Sequence, residues 1–281
     1  MSSASRTSLV ARIRDALPEL HASERRLADV VLNFPGDLAS YTATELAQLA
    51  NVSNATVSRF VRKLGYASFE DARQAVRAEQ QIGAPLFRFG SASVPTDGVV
   101  AGHLEQSRLN LERTYSLLDD AALDAVATAI LAAPHVRVIG FRAGQPFARY
   151  LGWQLSQVCR EISVLPRDGE TLAESLPGLG RGDCIVLFAL RRAPAALGRL
   201  VEALAETSAD VVLIGDLPRL DALPARWKIS CATSAPGPLL NHSSVMAVCN
   251  LVAARVINSS GPAGRQRMRA IEDAHTRLGE L

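Results

Sequence analysis

From Val136 onward the chain alternates short, bulky, β-prone runs with helical segments. The runs are VRVIGF (136–141), ISVL (162–165), CIVLFAL (184–190), VVLIG (211–215) and KISCA (228–232). Most are separated by segments of helical character, PFARYLGWQLSQVCR, ETLAESL and PAALGRLVEALAET. Strands joined through helices pair in parallel, and a parallel sheet must be covered on both faces. The pattern therefore predicts a three-layer α/β domain around a five-stranded parallel sheet. Pro146 and Pro194 suit the first turn of a helix, where a missing N–H does no harm. Two helices, at about 102–118 and 121–133, precede the first strand, and a long apolar helix at about 243–257 follows the last. SSGPAG then interrupts the chain ahead of a charged tail helix within 259–281.

The first 80 residues carry a different pattern. Apolar residues recur at helical spacing, as in Leu27, Val30, Val31 and Phe34, and no strand-like alternation is present. The stretch QQIGAPLFRFGSASVPTDG is rich in Gly, Pro and Ser and marks a linker spanning 81–101, centred on 81–98. The expected organisation is a helical domain at 1–80, the linker, an α/β domain at 102–258 and the tail.

Within the helical domain, TATELAQLANVSNATVSRFVRKLGY (Thr42 to Tyr66) is the most informative segment. Thr44 can cap a short helix with Glu45 near its positive end. Leu46, Ala47 and Ala50 supply its apolar face, and the small Ala47 lets a second helix cross closely. Asn51 sits where a left-handed turn is wanted and tolerates it better than most residues. Val52 can plug the corner, and Ser53 can cap the second helix. In that helix Val57, Phe60, Val61 and Leu64 share one side, while Asn54, Ala55, Ser58, Arg59 and Arg62 share the other. The layout is a helix-turn-helix at about 44–64, and the outward set suits DNA. Small residues allow close approach, Asn and Arg can pair bidentately with adenine and guanine edges, and Arg62 and Lys63 can reach phosphates. Ser53, Asn54, Thr56, Ser58, Arg59, Arg62 and Lys63 are the candidate DNA-contacting residues. An ordinary helical hairpin with a solvated polar face is the competing reading of the same pattern.

Charge supports a local patch rather than a global field. Lys+Arg 30 against Asp+Glu 28 leaves a net charge of +2, and 48% of the residues are hydrophobic. Residues 1–80 hold ten Arg/Lys and nine Asp/Glu, yet Asn51 to Tyr66 holds three basic residues and no acidic one. The first twenty residues lack a signal-peptide core, and the longest apolar run, Cys184 to Leu190, is far short of the roughly 20 residues that span a bilayer. A soluble, cytoplasmic protein without membrane contact is expected. The four cysteines are widely spaced, which points to buried thiols rather than a zinc site or disulfides. The five histidines do not cluster, so no metal or cofactor is expected.

The segment SNATVSRFVRKLGYASFEDAR resembles the DNA-binding domain of the RpiR family of bacterial transcriptional regulators. HLEQSRLNLERTYSLLDDAALDAVATAILAAPHVRVIG resembles the helices and first strand that lead into that family's SIS (sugar isomerase) domain. The resemblance runs from about Leu9 to Ile257. It implies an all-α helix-turn-helix domain followed by a SIS-like sugar-phosphate-binding domain, assembled as a homodimer or tetramer.

In a parallel α/β sheet, ligands bind beyond the carboxyl ends of the strands, and the helix N-termini there attract anions. That selects the loops 141–146, 166–171, 190–195 and 216–220. The family resemblance implies hydroxyl-rich phosphate loops at two of these places, and the chain departs at both. GFRAGQPFA (140–148) keeps Gly140 and Gly144 but carries Arg142, and FALRRAPAAL (188–197) carries Arg191 and Arg192. Either these arginines converge on an anionic ligand, whose geometry a guanidinium fork matches, or they are solvated loop residues or subunit contacts. Arg142, Gly144, Gln145, Glu170, Arg191, Arg192 and His242 are the candidate ligand-binding residues. Asp168 and Glu170 also read as a turn and a helix-start carboxylate. For His242 a histidine bonded at a helix end outweighs a catalytic one, and helix capping explains Asn241 equally well.

These features imply a regulator of sugar or central carbon metabolism that binds double-stranded operator DNA. Two recognition helices would lie about 34 Å apart on a pseudo-palindromic site. A small anionic sugar metabolite would act as effector, and the linker must not be fully slack. The alternative is a phosphosugar isomerase or lyase with an accessory helical domain, with Glu170, Glu174 or His242 as the base. The sequence offers no catalytic pair of diagnostic spacing, so no catalytic residue and no enzyme activity are expected.

Overall fold

The computed structural model describes residues 8–33, 35–88 and 98–280. Phe34 and residues 89–97 of the expected linker lie outside the described residues. The chain divides into two compact units, one of residues 1–103 with 235–240, the other of residues 104–234 with 241–281.

The first unit contains α1 (Leu9–Ala16), α2 (Ala22–Asn33), α3 (Ala43–Leu49), α4 (Asn54–Lys63), α5 (Phe69–Ile82) and the single turn α6 (Pro85–Arg88). Helix therefore extends into the start of the expected linker, and α7 (Val99–Tyr115) begins before its end. Ile13, Leu27, Leu46, Val57 and Phe60 meet in one core with Val61, Ala72 and Val76. Each fully buried side chain of this size contributes about 1.5–3 kcal/mol. Ala47 is buried between α3 and α4, and Val52 packs at the corner as its apolar character requires.

The second unit continues with α8 (Asp120–Ala132), β1 (Val136–Gly140), α9 (Gly144–Ser156), β2 (Ile162–Leu165) and β3 (Cys184–Ala189). It ends with α10 (Leu197–Glu206), β4 (Asp210–Gly215), β5 (Trp227–Ser230), α11 (Ser243–Ser259) and α12 (Gly261–Leu278). The five strands pair in parallel in the order β2-β1-β3-β4-β5. Every residue of β3 is buried, as expected of a central strand covered on both faces. Alternate strand residues feed two cores. Val138, Val186, Val212 and Ile214 meet α8, α9 and α11 through Val126, Leu151 and Val252. Ile139, Ile185, Leu187 and Leu213 meet α10 through Val201 and Leu204 on the other face.

Three local expectations are corrected. ETLAESL is not an α-helix but two short 3-10 turns at Leu172–Glu174 and Leu176–Gly178, because Pro177, Gly178 and Gly180 leave too few residues to propagate one. Pro194 lies outside the first turn of α10, which starts at Leu197. SSGPAG interrupts the helix only at Ser260. Gly261 takes φ +62°, and an 18-residue helix follows at once. Gly140 and Gly144 act through closeness. A Cβ on Gly140 would lie 2.4 Å from the Gly144 carbonyl oxygen, and one on Gly144 would lie 3.0 Å from Phe188 Cβ. Gly140→Ala should therefore lower stability by about 1–3 kcal/mol, read from the urea midpoint, because the clashing atom is backbone and cannot swing away.

Candidate nucleic-acid interface and ligand pocket

The turn between α3 and α4 is built from local hydrogen bonds. Thr42, not Thr44, caps α3. Its hydroxyl accepts from Glu45 N–H, and the Glu45 carboxylate accepts from Thr42 N–H at 2.7 Å, a reciprocal capping box. Thr44 instead accepts from Asn54 Nδ2 across the turn at 3.2 Å. Asn51 takes φ +49°, a left-handed value. Ser53 caps α4, its hydroxyl accepting from Thr56 N–H at 3.2 Å.

Helix α4 buries Val57, Phe60 and Val61 and exposes Asn54, Ala55, Ser58, Arg59 and Arg62. Two candidate residues are placed otherwise. Thr56 is buried, and its hydroxyl shares a hydrogen bond with Ser53, so it shapes the helix start. Lys63 turns back into the unit, where its Nζ donates to the Glu19 carbonyl and lies 3.4 Å from the Glu24 carboxylate. Burial alone would raise the Glu24 pKa, but the His21 N–H and Lys63 outweigh it and hold the group below its ordinary value. Two further cations, which the sequence reading did not single out, serve the same scaffold. Arg12 Nη1 donates to Leu64 O at the end of α4 at 2.9 Å and covers the Tyr66 ring. Arg26 donates to Ala50 O and Asn51 O at the end of α3. Both satisfy carbonyls that a helix end leaves open and oppose the negative end of its dipole.

In the second unit, β1 and β3 are neighbours whose connections leave in opposite directions, so the chain order reverses between them. This switch point lies between the loops carrying Arg142 and Arg192. Both residues are exposed, and both hold positive φ, +51° and +62°. No side chain caps α9 or α10, the helices that follow these loops. Gln145 is half-buried on the first turn of α9, and the buried Gly144 packs on Phe188.

Arg191 is held differently from its neighbour. Asp216, directly after β4, accepts from Arg191 N–H at 2.6 Å and from Arg191 Nε at 2.8 Å. Thr233, beyond β5, donates to Asp216 and accepts from Arg191 Nη2 at 2.6 Å. A carboxylate 2% exposed needs such partners, so Arg191 joins the ends of β3, β4 and β5 instead of converging with Arg142 and Arg192. Asp216 heads the loop 216–220 selected from sequence but was not singled out as a site residue, and Thr233 was not identified; a carboxylate directly after the apolar run VVLIG was the available signal. His242 rests against Phe147, ring centroids 5.7 Å apart, and its buried Nε2 makes no hydrogen bond. Asn241 does the local capping, its Oδ1 accepting from Ser243 N–H at 3.0 Å. Glu170 and Asp168 lie exposed in surface ion pairs with Arg167 and Arg149. All four cysteines are free and buried, and burial raises their pKa values, Cys184 to about 12. Among the described residues there is no group of His, Cys, Asp and Glu able to hold a metal and no helix long and apolar enough to cross a membrane.

A family model for the helix-turn-helix domain, rpiR family, matches residues 7–82. This part of the chain is an rpiR-family helix-turn-helix domain. The sugar isomerase domain of an RpiR transcription factor from Sphaerobacter thermophilus aligns with 62% of this chain and 98% of its own, at 22% identity and a TM-score of 0.57. The NanR protein of Vibrio vulnificus, solved with ManNAc-6P, aligns over 96% of this chain and 99% of its own, at 20% identity and a TM-score of 0.56. At these identities the likeness establishes the fold. The helix-turn-helix region matched at residues 7–82 is thus followed by an α/β domain with the fold of the compared sugar isomerase domain.

The His242 ring supplies a pH test of the SIS-type domain. Burial lowers its pKa, Arg191 adds to that, and Asp216 opposes it. The unfolded chain therefore takes up this proton more readily than the folded chain. The stabilisation is complete above the ordinary histidine value of about 6.5 and is lost as pH falls through and below it. Urea midpoints measured from about pH 7.5 to 5 should fall less steeply for His242→Phe than for the wild type. Parallel slopes would mean that the ring titrates as if in water.

Proposed function

We propose that this chain is a DNA-binding transcriptional regulator of sugar or central carbon metabolism. In this reading its SIS-type domain binds a small anionic sugar metabolite that alters operator affinity, and the protein works as a homo-oligomer without catalytic activity. The outward set on α4 carries the proposal. Asn54, Ser58, Arg59 and Arg62 stand exposed opposite a buried apolar face, on a helix whose start is capped by Ser53. Duplex recognition needs an exposed donor set on a firmly held helix. The effector reading is supported by Arg142 and Arg192 at the switch point and by the uncapped N-termini of α9 and α10. The NanR structure containing a sugar phosphate agrees with it. The isomerase alternative gains no paired base. The Glu174 carboxyl is exposed and bound to the Thr171 hydroxyl, which lowers its pKa, and Glu170 is paired with Arg167 on the surface.

Mobility shift and salt titration on the DNA upstream of the chain's own gene test the reading. Arg59→Ala should abolish sequence-specific retardation while the thermal transition stays in place. Arg62→Ala should flatten the dependence of log affinity on log salt by about 0.9, the share of one phosphate. Lys63→Met should leave that slope unchanged and lower stability by about 1–3 kcal/mol, because Glu24 loses its cation. A sugar acid or sugar phosphate acting as effector should change operator affinity by about 5–150-fold at fixed salt. Specific binding undiminished by Arg59→Ala would place recognition on another surface.

A further inference from the structure

One short stretch of the second unit's sequence is part of the first unit. Residues 235–240 connect β5 to α11, two elements of the second unit, yet they cluster with the first. The chain therefore crosses between the units at 103–104 and again at 234–235 and 240–241. The last two crossings bracket a tip, APGPLL, without regular secondary structure. Within the first unit this tip is held at the end of α5 and on α6. Arg88 Nη2 donates to Ala235 O at 3.3 Å and to Gly237 O at 3.2 Å. Leu240 lies so close to Gly83 that a Cβ there would be 2.9 Å from its Cδ1. Phe87, next to Arg88, is buried in the same core as Val57 and Phe60 of α4.

Within the second unit the two ends of the tip are pinned into a neck. Asn241 N–H donates to Thr233 O at 3.2 Å and closes it. Ala232 N–H donates to Thr114 Oγ1 at 2.9 Å, Asn110 Nδ2 to Ser234 O at 2.8 Å, and Asn241 Nδ2 to Ser107 Oγ at 2.8 Å, all on α7. Ser244 donates to Ala232 O. Seven polar residues are buried among the described residues, and four of them, Asn110, Thr114, Thr233 and Ser244, make this neck. Buried polar groups are costly unless paired, so such a concentration fixes the neck in one arrangement. Thr233 also belongs to the rim of the sheet, where its hydroxyl joins Arg191 to Asp216. The tip contains Pro236 and Pro238, whose rings fix φ, so a displacement of the neck is passed along it rather than absorbed.

We propose that residues 233–241 are a strap through which the state of the sheet rim acts on the helical unit. An anion seated on the exposed Arg192 loads a loop whose neighbouring residue, Arg191, is bonded to Thr233. The neck moves with that loop, and the tip carries the movement to Arg88 and the core behind α4. The proposal rests on the reading of the chain as an effector-controlled regulator and supplies the path of that control, beside the expected linker. Coupling of this kind is established by energetics rather than by adjacency.

Backbone hydrogen exchange and operator affinity, both measured on the full chain with no effector present, supply the test. Thr233→Val removes the hydroxyl that ties the neck to the rim. It should speed exchange in residues 83–88 of the helical unit, whereas Thr233→Ser, which keeps the hydroxyl, should exchange like the wild type. In the opposite direction Arg88→Ala should speed exchange in residues 189–193. On the DNA upstream of the chain's own gene, Thr233→Val should change operator affinity by about fivefold or more. In an Arg88→Ala background the same substitution should change it by less than about twofold, because the path is already cut. Pro236→Gly combined with Pro238→Gly slackens the tip without touching Arg88 and should remove the effect of Thr233→Val equally. Additive effects of Thr233→Val and Arg88→Ala would overturn the strap, as would exchange changes confined to the unit that carries the substitution. A chain that binds operator DNA but keeps its exchange changes local refutes the strap and keeps the regulator. A chain whose exchange changes are reciprocal but which ignores DNA refutes the regulator and keeps the strap.

Discussion

A backbone group stranded at the end of a helix or strand must find a partner, and both units place their informative side chains where this need arises. In the helical unit, α3 and α4 are only seven and ten residues long, so their end groups are a large share of the total. Thr42 and Ser53 answer at the N-termini, and Arg12 and Arg26 answer at the C-termini. Helices this short are marginal in isolation. Their fixed orientation therefore comes from these end contacts together with the buried Val57 and Phe60. Arg12 thus holds the end of α4 and Arg26 the end of α3, each countering the dipole of the helix it closes.

This division of labour explains how a nearly neutral domain can present a basic surface. Arg12, Arg26 and Lys63 are used internally, and Arg73 and Arg77 pair with Glu70 on the surface. Arg59 and Arg62 stand on the outward face of α4 with Asn54 and Ser58. With duplex DNA as the proposed partner, a face with so few charges puts more weight on donor geometry, against phosphate attraction, than a strongly basic surface does.

Where a feature depended on neighbours in sequence, it was legible before any coordinates. The strand runs alternate with helices regularly enough to reveal a parallel sheet. Asn51 takes the left-handed turn its side chain tolerates, and Ser53 caps as its position suggests. Features set by distant partners were not legible. Nothing near Arg191 announces that Asp216, 25 residues on, claims its backbone and its guanidinium. Nothing beside Lys63 announces Glu24, and Thr56 shares a hydroxyl-rich stretch with Ser53 and Ser58 yet is the buried one. Periodicity also overstated ETLAESL, whose apolar spacing is helical but whose following Pro177 and Gly178 cut propagation short.

The pairing of Arg191 with Asp216 has a consequence for its exposed neighbour. A loop on the rim of a sheet ordinarily keeps conformational freedom that ligand binding must remove, and that ordering opposes affinity. Here the residue just before Arg192 is fastened at its backbone N–H as well as its side chain, to a carboxylate buried beyond the next strand. Arg192 is accordingly held in a left-handed conformation that a non-glycine residue seldom adopts unaided. In the proposed role, that fixed backbone presents the exposed Arg192 to an anion with less ordering left to do on binding.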